Sequence, residues 1–282
     1  MKTRWLLATR QEHVMGNAKT LVVGLGEVGG ALAEVLERTQ AVLRHDLEPR
    51  QFADPIGVMH LCIPYLSRSQ FESAAIGYIE RFSPELTIVN STVVPGTVRA
   101  IARRTNAAVA YSPIRGKHVR MASDLLRFTK MVAAPEPETA ALAERHFRAA
   151  GMSTRRFTRV ETLELAKLAE TTYFGVLIAF AQELNRLADK AGADYSEILD
   201  FFDEIDFLPS TRYFPGFIGG HCVIPNIHLL RNVGRSPLFE AVLESNSMRA
   251  AELAGDQGAD DSVKPAAPIK TVNGSQAATP KP

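Results

Sequence analysis

The feature that most constrains the fold is a glycine-rich stretch, LVVGLGEVGG, near the start of the chain. Gly24, Gly26 and Gly29 stand in G-x-G-x-x-G spacing directly after an apolar run typical of a buried strand. In this context the first glycine permits a tight turn and the second lets the backbone approach a pyrophosphate. The third lets a helix pack closely on the strand, with its N-terminus facing the negative charge. The stretch therefore predicts a dinucleotide-binding turn.

Short apolar runs alternate with helical patterns through the first half of the chain. We predict strands at 20–23, 41–45, 58–63, 86–90, 108–111, 130–133 and 153–158. Helices are expected between them, for example at 30–39, 97–105 and 136–150. This alternation indicates an α/β fold with a doubly wound parallel sheet of the Rossmann type.

The second half of the chain reads as helical. The run 160–190 is rich in Leu, Ala, Glu and Lys, and it predicts one helix about 45 Å long at ~1.5 Å per residue. Shorter helices are expected at 195–204 and 237–254, with an irregular, glycine-rich segment between them. We therefore predict a leader at 1–17, an NAD-binding Rossmann domain at 18–158, an all-α central domain at 159–254 and a disordered tail at 255–282.

Composition excludes several classes of function. The net charge of +1 gives no field that favours nucleic acid or an anionic membrane. The apolar stretch at the start is too short for a signal sequence or a membrane span. The two cysteines, Cys62 and Cys222, do not suggest a disulfide framework, so a cytoplasmic location is expected. No metal site is predicted.

The cofactor is suggested by an acid at the end of the second predicted strand. Asp46 lies 22 residues beyond Gly24, where a carboxylate binds ribose hydroxyls and repels a 2′-phosphate. The sequence therefore predicts NAD, although Arg44 and Arg50 weaken the preference over NADP. A Rossmann-like domain that binds another nucleotide, or nothing, is the alternative. The candidate cofactor-binding residues are Gly24, Gly26, Glu27, Val28, Gly29, Asp46, Pro64, Ser91 and Thr92.

Three further segments extend this pattern: NSTVVPGT at 90–97, LELAKLAETTYFGVLIAFAQEL at 163–184, and PGFIGGHCVIPNIHLL at 215–230. Together with the glycine turn they resemble the UDP-glucose/GDP-mannose dehydrogenase family, in order from about residue 20 to about residue 253. The resemblance implies an NAD-dependent oxidoreductase that oxidises a substrate alcohol by hydride transfer. It implies a nucleotide sugar or another anionic small molecule as substrate. It also implies a homodimer formed through the helix at 160–190.

The resemblance also assigns candidate catalytic residues. Cys222 matches a nucleophile that attacks an aldehyde intermediate, and a buried, inert cysteine is the alternative. Lys167 matches a lysine that stabilises alkoxide charge or transfers a proton, and a solvated helix face is the alternative. Thr92 matches a threonine that positions water or substrate, or it caps the following turn. The full candidate set is Cys222, Lys167, Thr92, Thr171 and Asn226.

Several positions depart from the family pattern. Thr171 and Asn226 stand where the family usually has asparagine and aspartate, and Ile114 stands where it usually has glutamate. In the family the final step is the hydrolysis of a thioester. The missing carboxylates remove a general base for that step or a charge partner for Lys167. The family's third domain is expected to be absent, because the chain becomes tail-like after about residue 253. A basic cluster either binds an anionic substrate or forms a solvated loop; its members are Arg115, Lys117, His118 and Arg120.

Two other functions remain compatible with the sequence. A single-step hydroxyacid dehydrogenase also joins a Rossmann domain to a helical domain that carries a lysine, and its activity would not depend on Cys222. A non-catalytic, NAD-binding regulatory or assembly subunit would explain the lost carboxylates. The retained Cys222 and Lys167 argue against that second alternative.

Overall fold

The computed structural model describes residues 18–48, 51–116, 118–203, 205–206 and 211–257. The predicted leader, and the predicted tail from residue 258 onward, lie outside the described residues. Arg50 and Lys117 lie outside them as well.

A five-stranded parallel sheet organises the first half of the chain. Its strands are β1 (Lys19–Val23), β2 (Val42–His45), β3 (Ile56–Leu61), β4 (Leu86–Val89) and β5 (Val109–Tyr111). They lie in the order β2-β1-β3-β4-β5. The direction of winding changes between β1 and β3, and ligands of such sheets bind outside the carboxyl ends of the strands at this point.

Helices cover both faces of this sheet, as the alternating pattern predicts. They are α1 (Glu27–Leu36), α2 (Arg68–Phe82), α3 (Thr97–Thr105), α4 (Met121–Arg127) and α5 (Pro137–Ala149). Successive residues of β1 point to opposite faces: Val22 packs with α1, α4 and α5, whereas Leu21 and Val23 pack with α2 and α3. The fold is therefore a doubly wound α/β sheet of the Rossmann type followed by helices.

Two of the seven predicted strands form a sheet of their own. β6 (Lys130–Val132) and β7 (Thr154–Arg156) pair in parallel with each other. An antiparallel bridge links them to the main sheet: Tyr111 and Ala133 exchange backbone hydrogen bonds of 2.7 and 3.0 Å. Because β6 approaches β5 in the opposite direction, the main parallel ladder ends at β5.

The second half of the described chain contains four helices: α6 (Val160–Ala191), α7 (Tyr195–Asp203), α8 (Val223–Arg231) and α9 (Pro237–Gln257). The 32-residue α6 ends at Gly192, whose φ of +68° suits a helix C-terminus. Near its middle, Gly175 lets α8 come close, since a Cβ there would lie 2.8 Å from Val223. No helix in the described part of the chain is long and apolar enough to cross a membrane.

Some element boundaries differ from the sequence predictions. The segment predicted as irregular contains α8, and its Pro225 lies in the first turn, where a missing N–H is tolerated. α1 begins at Glu27 rather than at residue 30, because two glycines belong to its first turns. α9 continues to Gln257, three residues past its predicted end.

Candidate active site

A cavity of about 570 Å³ lies between the carboxyl edge of the sheet and the helical half. The glycine turn, the segments that follow β3 and β4, and helices α6 and α8 all contribute to its wall. Ten of the predicted site residues line it: Gly26, Glu27, Val28, Pro64, Ser91, Thr92, Lys167, Thr171, Cys222 and Asn226.

The three glycines of the turn differ in their surroundings. Gly24 has a φ of +85°, and a Cβ there would lie 2.6 Å from the carbonyl oxygen of Cys62. A Cβ on Gly29 would lie 1.8 Å from the carbonyl oxygen of Gly24, so only glycine allows the helix this close to the turn. A Cβ on Gly26 would meet nothing within 4 Å. The free space therefore lies at the second glycine, where a pyrophosphate needs to approach the backbone.

Asp46 lies at the end of β2, outside the cavity wall but beside the glycine turn. Its carboxylate accepts hydrogen bonds from the N–H groups of Leu25, at 3.3 Å, and Leu47, at 3.0 Å. Arg44 is engaged elsewhere, because its guanidinium donates two hydrogen bonds, of 2.7 and 2.8 Å, to Glu37. One of the two arginines that weakened the preference for NAD over NADP is thus paired with a carboxylate.

The segment after β4 is fixed by hydrogen bonds that cross the sheet edge. The Ser91 hydroxyl donates to the carbonyl oxygen of Ile63 at 2.6 Å. The Asn90 amide donates to the carbonyl oxygen of Ser112 at 2.7 Å, and its Oδ1 lies 2.8 Å from His60 Nδ1. Asn90 also lines the cavity, although the sequence analysis did not single it out. Its place at the start of NSTVVPGT, directly after a strand, was the available signal.

Buried ionisable groups lie behind this edge. The two rings of His60 and His146 meet with their Nε2 atoms 2.8 Å apart. Burial lowers the pKa of His146 to about 4 and lowers the pKa of His60 as well. Lys130 donates to the carbonyl oxygens of Ser112 and Pro113, and burial lowers its pKa to about 7. This polar cluster supports the floor of the cavity.

Cys62 lies in the same region and contributes to the cavity wall. Burial raises the pKa of its thiol to about 12, so the thiol stays protonated at neutral pH. This environment makes Cys62 an unreactive thiol.

Lys167 projects from α6 into the cavity. Its side chain is only 12% exposed, and its Nζ donates to Glu170 at 3.0 Å. The solvated helix face that was the alternative for this residue is thus not what the structure has. One turn later on α6, Thr171 lines the same wall.

Thr171 and Asn226 form a direct link between α6 and α8. The Asn226 amide donates to Thr171 Oγ1 at 2.9 Å. The Thr171 hydroxyl in turn lies within donating distance of the carbonyl oxygens of Lys167 and Leu168, at 3.2 and 3.1 Å. Asn226 is buried. Because its side chain is an amide, it supplies hydrogen bonds to the site but cannot act as a carboxylate.

Cys222 precedes the first residue of α8 and is half-buried at the cavity wall. Burial raises the pKa of its thiol, the positive charge of Lys167 opposes this, and Glu27 and Glu170 add to it. The neighbouring His221 reaches Glu27 of α1, with 3.4 Å between Nε2 and Oε2. The cysteine turn therefore contacts the glycine turn across the cavity.

The predicted basic cluster is not gathered at the cavity. Arg115 donates to the carbonyl oxygen of Thr129 at 2.6 Å, and Arg120 pairs with Asp124 at 3.1 Å. The side chains of Lys117 and His118 lie outside the description. Ile114, where the family usually has glutamate, is a buried apolar residue of the cavity wall.

Glu164 joins α6 to the segment that carries Thr92. Its carboxylate accepts hydrogen bonds from the N–H groups of Gly96, at 2.6 Å, and Val98, at 2.9 Å. Burial raises its pKa to about 7, and these two hydrogen bonds oppose the shift. The sequence analysis missed this acid, although a glutamate set between two leucines in LELAK was a sign of burial. Among the described residues, no group of His, Cys, Asp or Glu could hold a metal ion.

Residues 161–248 match the family model for the central domain of UDP-glucose/GDP-mannose dehydrogenases. Over these residues the chain is similar to the UDP-glucose/GDP-mannose dehydrogenase family. The matched region carries Lys167, Thr171, Cys222 and Asn226, so four of the candidate catalytic residues lie within it.

Curated relatives support the same family. A UDP-N-acetyl-D-mannosamine dehydrogenase of Pyrococcus horikoshii is 29% identical over 157 residues, which are 51% of this chain and 37% of the relative. An NDP-N-acetyl-D-galactosaminuronic acid dehydrogenase of Ralstonia solanacearum is 24% identical over 123 residues, which are 44% of this chain and 29% of the relative. The matched regions thus span about a third of the length of these family members.

Solved structures support the fold. A UDP-D-ManNAc dehydrogenase from Pyrococcus horikoshii matches with a TM-score of 0.73 at 23% identity, over 84% of this chain and 70% of that one. A 3-hydroxyisobutyrate dehydrogenase of Mycobacterium tuberculosis matches with a TM-score of 0.65 at 15% identity, over 84% of this chain and 94% of that one. The arrangement of a Rossmann sheet followed by helices is therefore shared with both kinds of dehydrogenase.

Proposed function

We propose that this chain is an NAD-dependent oxidoreductase that oxidises an alcohol carbon of a nucleotide sugar, or of a similar anionic compound. One observation carries the proposal: the glycine turn, Lys167 and Cys222 line the same cavity. The turn is suited to a dinucleotide, whereas the lysine and cysteine are suited to an alcohol and the carbonyl formed from it.

The cofactor side of the proposal rests on the turn itself. The open space at Gly26 and the N-terminus of α1 would take a pyrophosphate, and Asp46 would bind the ribose hydroxyls. NAD, when bound, would accept a hydride from the substrate carbon. Pro64, Ser91 and Thr92 would border the nicotinamide end, because they follow the carboxyl ends of β3 and β4.

The substrate side rests on α6 and α8. Lys167 would stabilise negative charge on the reacting oxygen, since its side chain lines the cavity and is only 12% exposed. Thr171 and Asn226, held together by a hydrogen bond, would orient that oxygen. Cys222 would capture or orient the carbonyl, and Thr92 would position water or substrate from the opposite wall.

The test is an assay of the chain with NAD and a panel of nucleotide sugars, in which reduced nicotinamide is followed by absorbance. Lys167→Met is expected to lower kcat about 100-fold, because charge stabilisation at the reacting oxygen is lost. Lys190→Met is the matched control, since Lys190 is an exposed lysine at the far end of the same helix. Equal turnover in both variants would remove Lys167 from the mechanism.

The number of hydrides per substrate separates the two enzymatic candidates. Two hydrides, together with loss of the second in Cys222→Ser, would establish a two-step sugar-nucleotide dehydrogenase. One hydride with no effect of Cys222→Ser would establish a single-step hydroxyacid-type dehydrogenase. The raised pKa of the Cys222 thiol favours this second candidate, because a protonated thiol is a poor nucleophile. NAD binding without turnover would support a regulatory or assembly subunit instead.

We further propose that the chain forms a homodimer through α6. Tyr173, Phe180 and Leu187 are exposed on this helix at seven-residue spacing, which places them on one face. Covering this face would remove a large apolar stripe from water. Light scattering at micromolar concentration is expected to give the mass of a dimer, and a monomer would contradict the proposal. We also propose a cytoplasmic location, because Cys62 and Cys222 are thiols rather than partners in a disulfide.

A further inference from the structure

The segment that leads to Cys222 has no regular secondary structure. Residues 211–222 contain no helix or strand, and Gly220 within them has a φ of +78°. The backbone N–H and C=O groups of such a segment are not paired by the hydrogen bonds of a helix or a sheet, so other parts of the molecule have to supply their partners. The position of the cysteine therefore depends on what holds this segment.

Two amide side chains of the helical half hold it. Asn246 of α9 accepts a hydrogen bond from the N–H of Ile218 at 2.7 Å and donates to the carbonyl oxygen of the same residue at 3.1 Å. Gln182 of α6 donates to the carbonyl oxygen of Gly216 at 2.7 Å. The two amides also meet each other, with 3.3 Å between Gln182 Nε2 and Asn246 Oδ1.

Both amides are buried and are held in place by further contacts. The Gln182 Oε1 accepts a hydrogen bond from the hydroxyl of Ser245 at 3.0 Å, and that hydroxyl accepts one from Arg186 at 2.6 Å. The Ile218 side chain packs into the apolar cluster that includes Val223 and Ile227 of α8. The backbone four residues before the cysteine is thus anchored by polar and apolar contacts together.

We propose that Asn246 and Gln182 are positioning residues for Cys222, because they fix the backbone of Gly216 and Ile218 and so set where the thiol meets the cavity. The role of Cys222 in turnover rests on the proposed function, whereas its position does not. Neither amide lines the cavity, so both act through the cysteine segment rather than on a substrate.

The test measures the reactivity of the Cys222 thiol directly, without substrate. Iodoacetamide is added to the folded chain, and the alkylation of each cysteine is followed by peptide mass spectrometry. In Asn246→Asp the bond from Ile218 N–H is kept and the bond to its carbonyl oxygen is lost. Alkylation of Cys222 is expected to become about tenfold faster, because the segment opens more often. Cys62 serves as the internal control, and its rate is expected to stay unchanged.

Ser247→Ala is the matched variant on the same helix, since the exposed Ser247 hydroxyl donates to the carbonyl oxygen of Leu243 one turn earlier. It is expected to leave the rate at Cys222 unchanged. Gln182→Met, which loses the bond to Gly216, is the second test variant. If Asn246→Asp lowers thermal stability while the Cys222 rate equals that of the parent chain, the two amides are structural only and the proposal is overturned.

A measurement on the parent chain covers the case in which both test variants fail to fold. Hydrogen exchange is expected to show protection of the Ile218 amide, in contrast to Gly220 in the same segment. Exchange of Ile218 as fast as that of Gly220 would overturn the proposal. Where the chain turns over substrate, Asn246→Asp is also expected to lower kcat and leave KM for NAD unchanged. A changed alkylation rate in a chain without turnover would refute the proposed function and leave this inference standing.

Discussion

Glu164 offers a way to measure the electrostatics that join the two halves of the chain. Its carboxylate is fully buried and accepts two backbone hydrogen bonds, from Gly96 and Val98, at the start of α3. Burial penalises the charged form and raises the pKa, whereas the two hydrogen bonds favour the charged form. Replacing Glu164 with glutamine keeps the shape and removes the titration.

The size of the effect follows from the shift. The folded pKa is about 7 and the ordinary value is 4.5, so at 1.36 kcal/mol per pKa unit the difference is roughly 3 kcal/mol. Below pH 4.5 the carboxyl group is protonated in both the folded and the unfolded chain. As the pH rises toward 7, Glu164 loses its proton in the unfolded chain before it does so in the folded chain, because its pKa is lower in the unfolded chain. The contribution of Glu164 to the free energy of unfolding therefore falls between pH 4.5 and 7.

The assay is urea unfolding of the parent chain and Glu164→Gln over this range of pH. The difference in unfolding free energy, parent minus variant, is expected to fall by roughly 3 kcal/mol as the pH rises. Taking the difference cancels other titrating groups, including His60 and His146, which stay the same in both chains.

Glu161→Gln is the matched control, one turn earlier on α6. Arg99 donates to the Glu161 carboxylate at 2.5 Å and lowers its pKa, so the same difference is expected to rise with pH, by a smaller amount because the pair is partly exposed. A difference for Glu164 that stays constant would refute the reasoning. A difference that rises with pH would show that the two backbone hydrogen bonds outweigh burial.

Four further changes test the cofactor turn and the buried histidines. Gly29→Ala is expected to cost about 3 kcal/mol of unfolding free energy, because its Cβ would meet a carbonyl oxygen at 1.8 Å. Gly26→Ala is expected to leave urea unfolding unchanged and to weaken NAD binding in calorimetry; equal NAD affinity would contradict the assigned pyrophosphate position. Glu27→Gln is expected to raise NAD affinity about threefold at low salt, because an acid leaves the N-terminus of α1; an equal gain at high salt would contradict this cause. The pKa of His146 is about 4 in the folded chain, so protonation of this side chain destabilises the fold as the pH falls from 6.5 to 4. His146→Gln is therefore expected to reduce the loss of unfolding free energy over this range; an equal loss in the variant and the parent chain would contradict this assignment.

Much of the fold could be predicted because its signals are local. The strands of the sheet are short apolar runs between helical patterns, and their predicted centres agree with the structure. The glycine turn was predicted because its three glycines stand in one short spacing, although the contact that requires Gly24 is made with Cys62, far along the chain. The long helix was predicted to within one residue at its end, because Gly192 follows it directly.

The parts that could not be predicted depend on distant partners. The pairing of β6 with β7, rather than with the main sheet, is set by contacts between segments that no local pattern relates. The hydrogen bonds of Glu164 to Gly96 and of Asn246 to Ile218 join residues far apart in sequence. In each case the residue type alone leaves open whether a polar side chain faces water or a backbone partner.

The candidate catalytic residues lie together, and their contacts bear on how far an oxidation could proceed. A second oxidation to an acid ends with water attacking a thioester, which a general base assists. At the two positions where the family usually has carboxylates, Ile114 is apolar and Asn226 uses its amide to donate to Thr171. Neither side chain can accept a proton from water. We infer that these groups support the first hydride transfer better than the final hydrolysis. His221 and Glu27, which meet at the cavity wall, are the lining groups that carry an imidazole or a carboxylate for activating such a water.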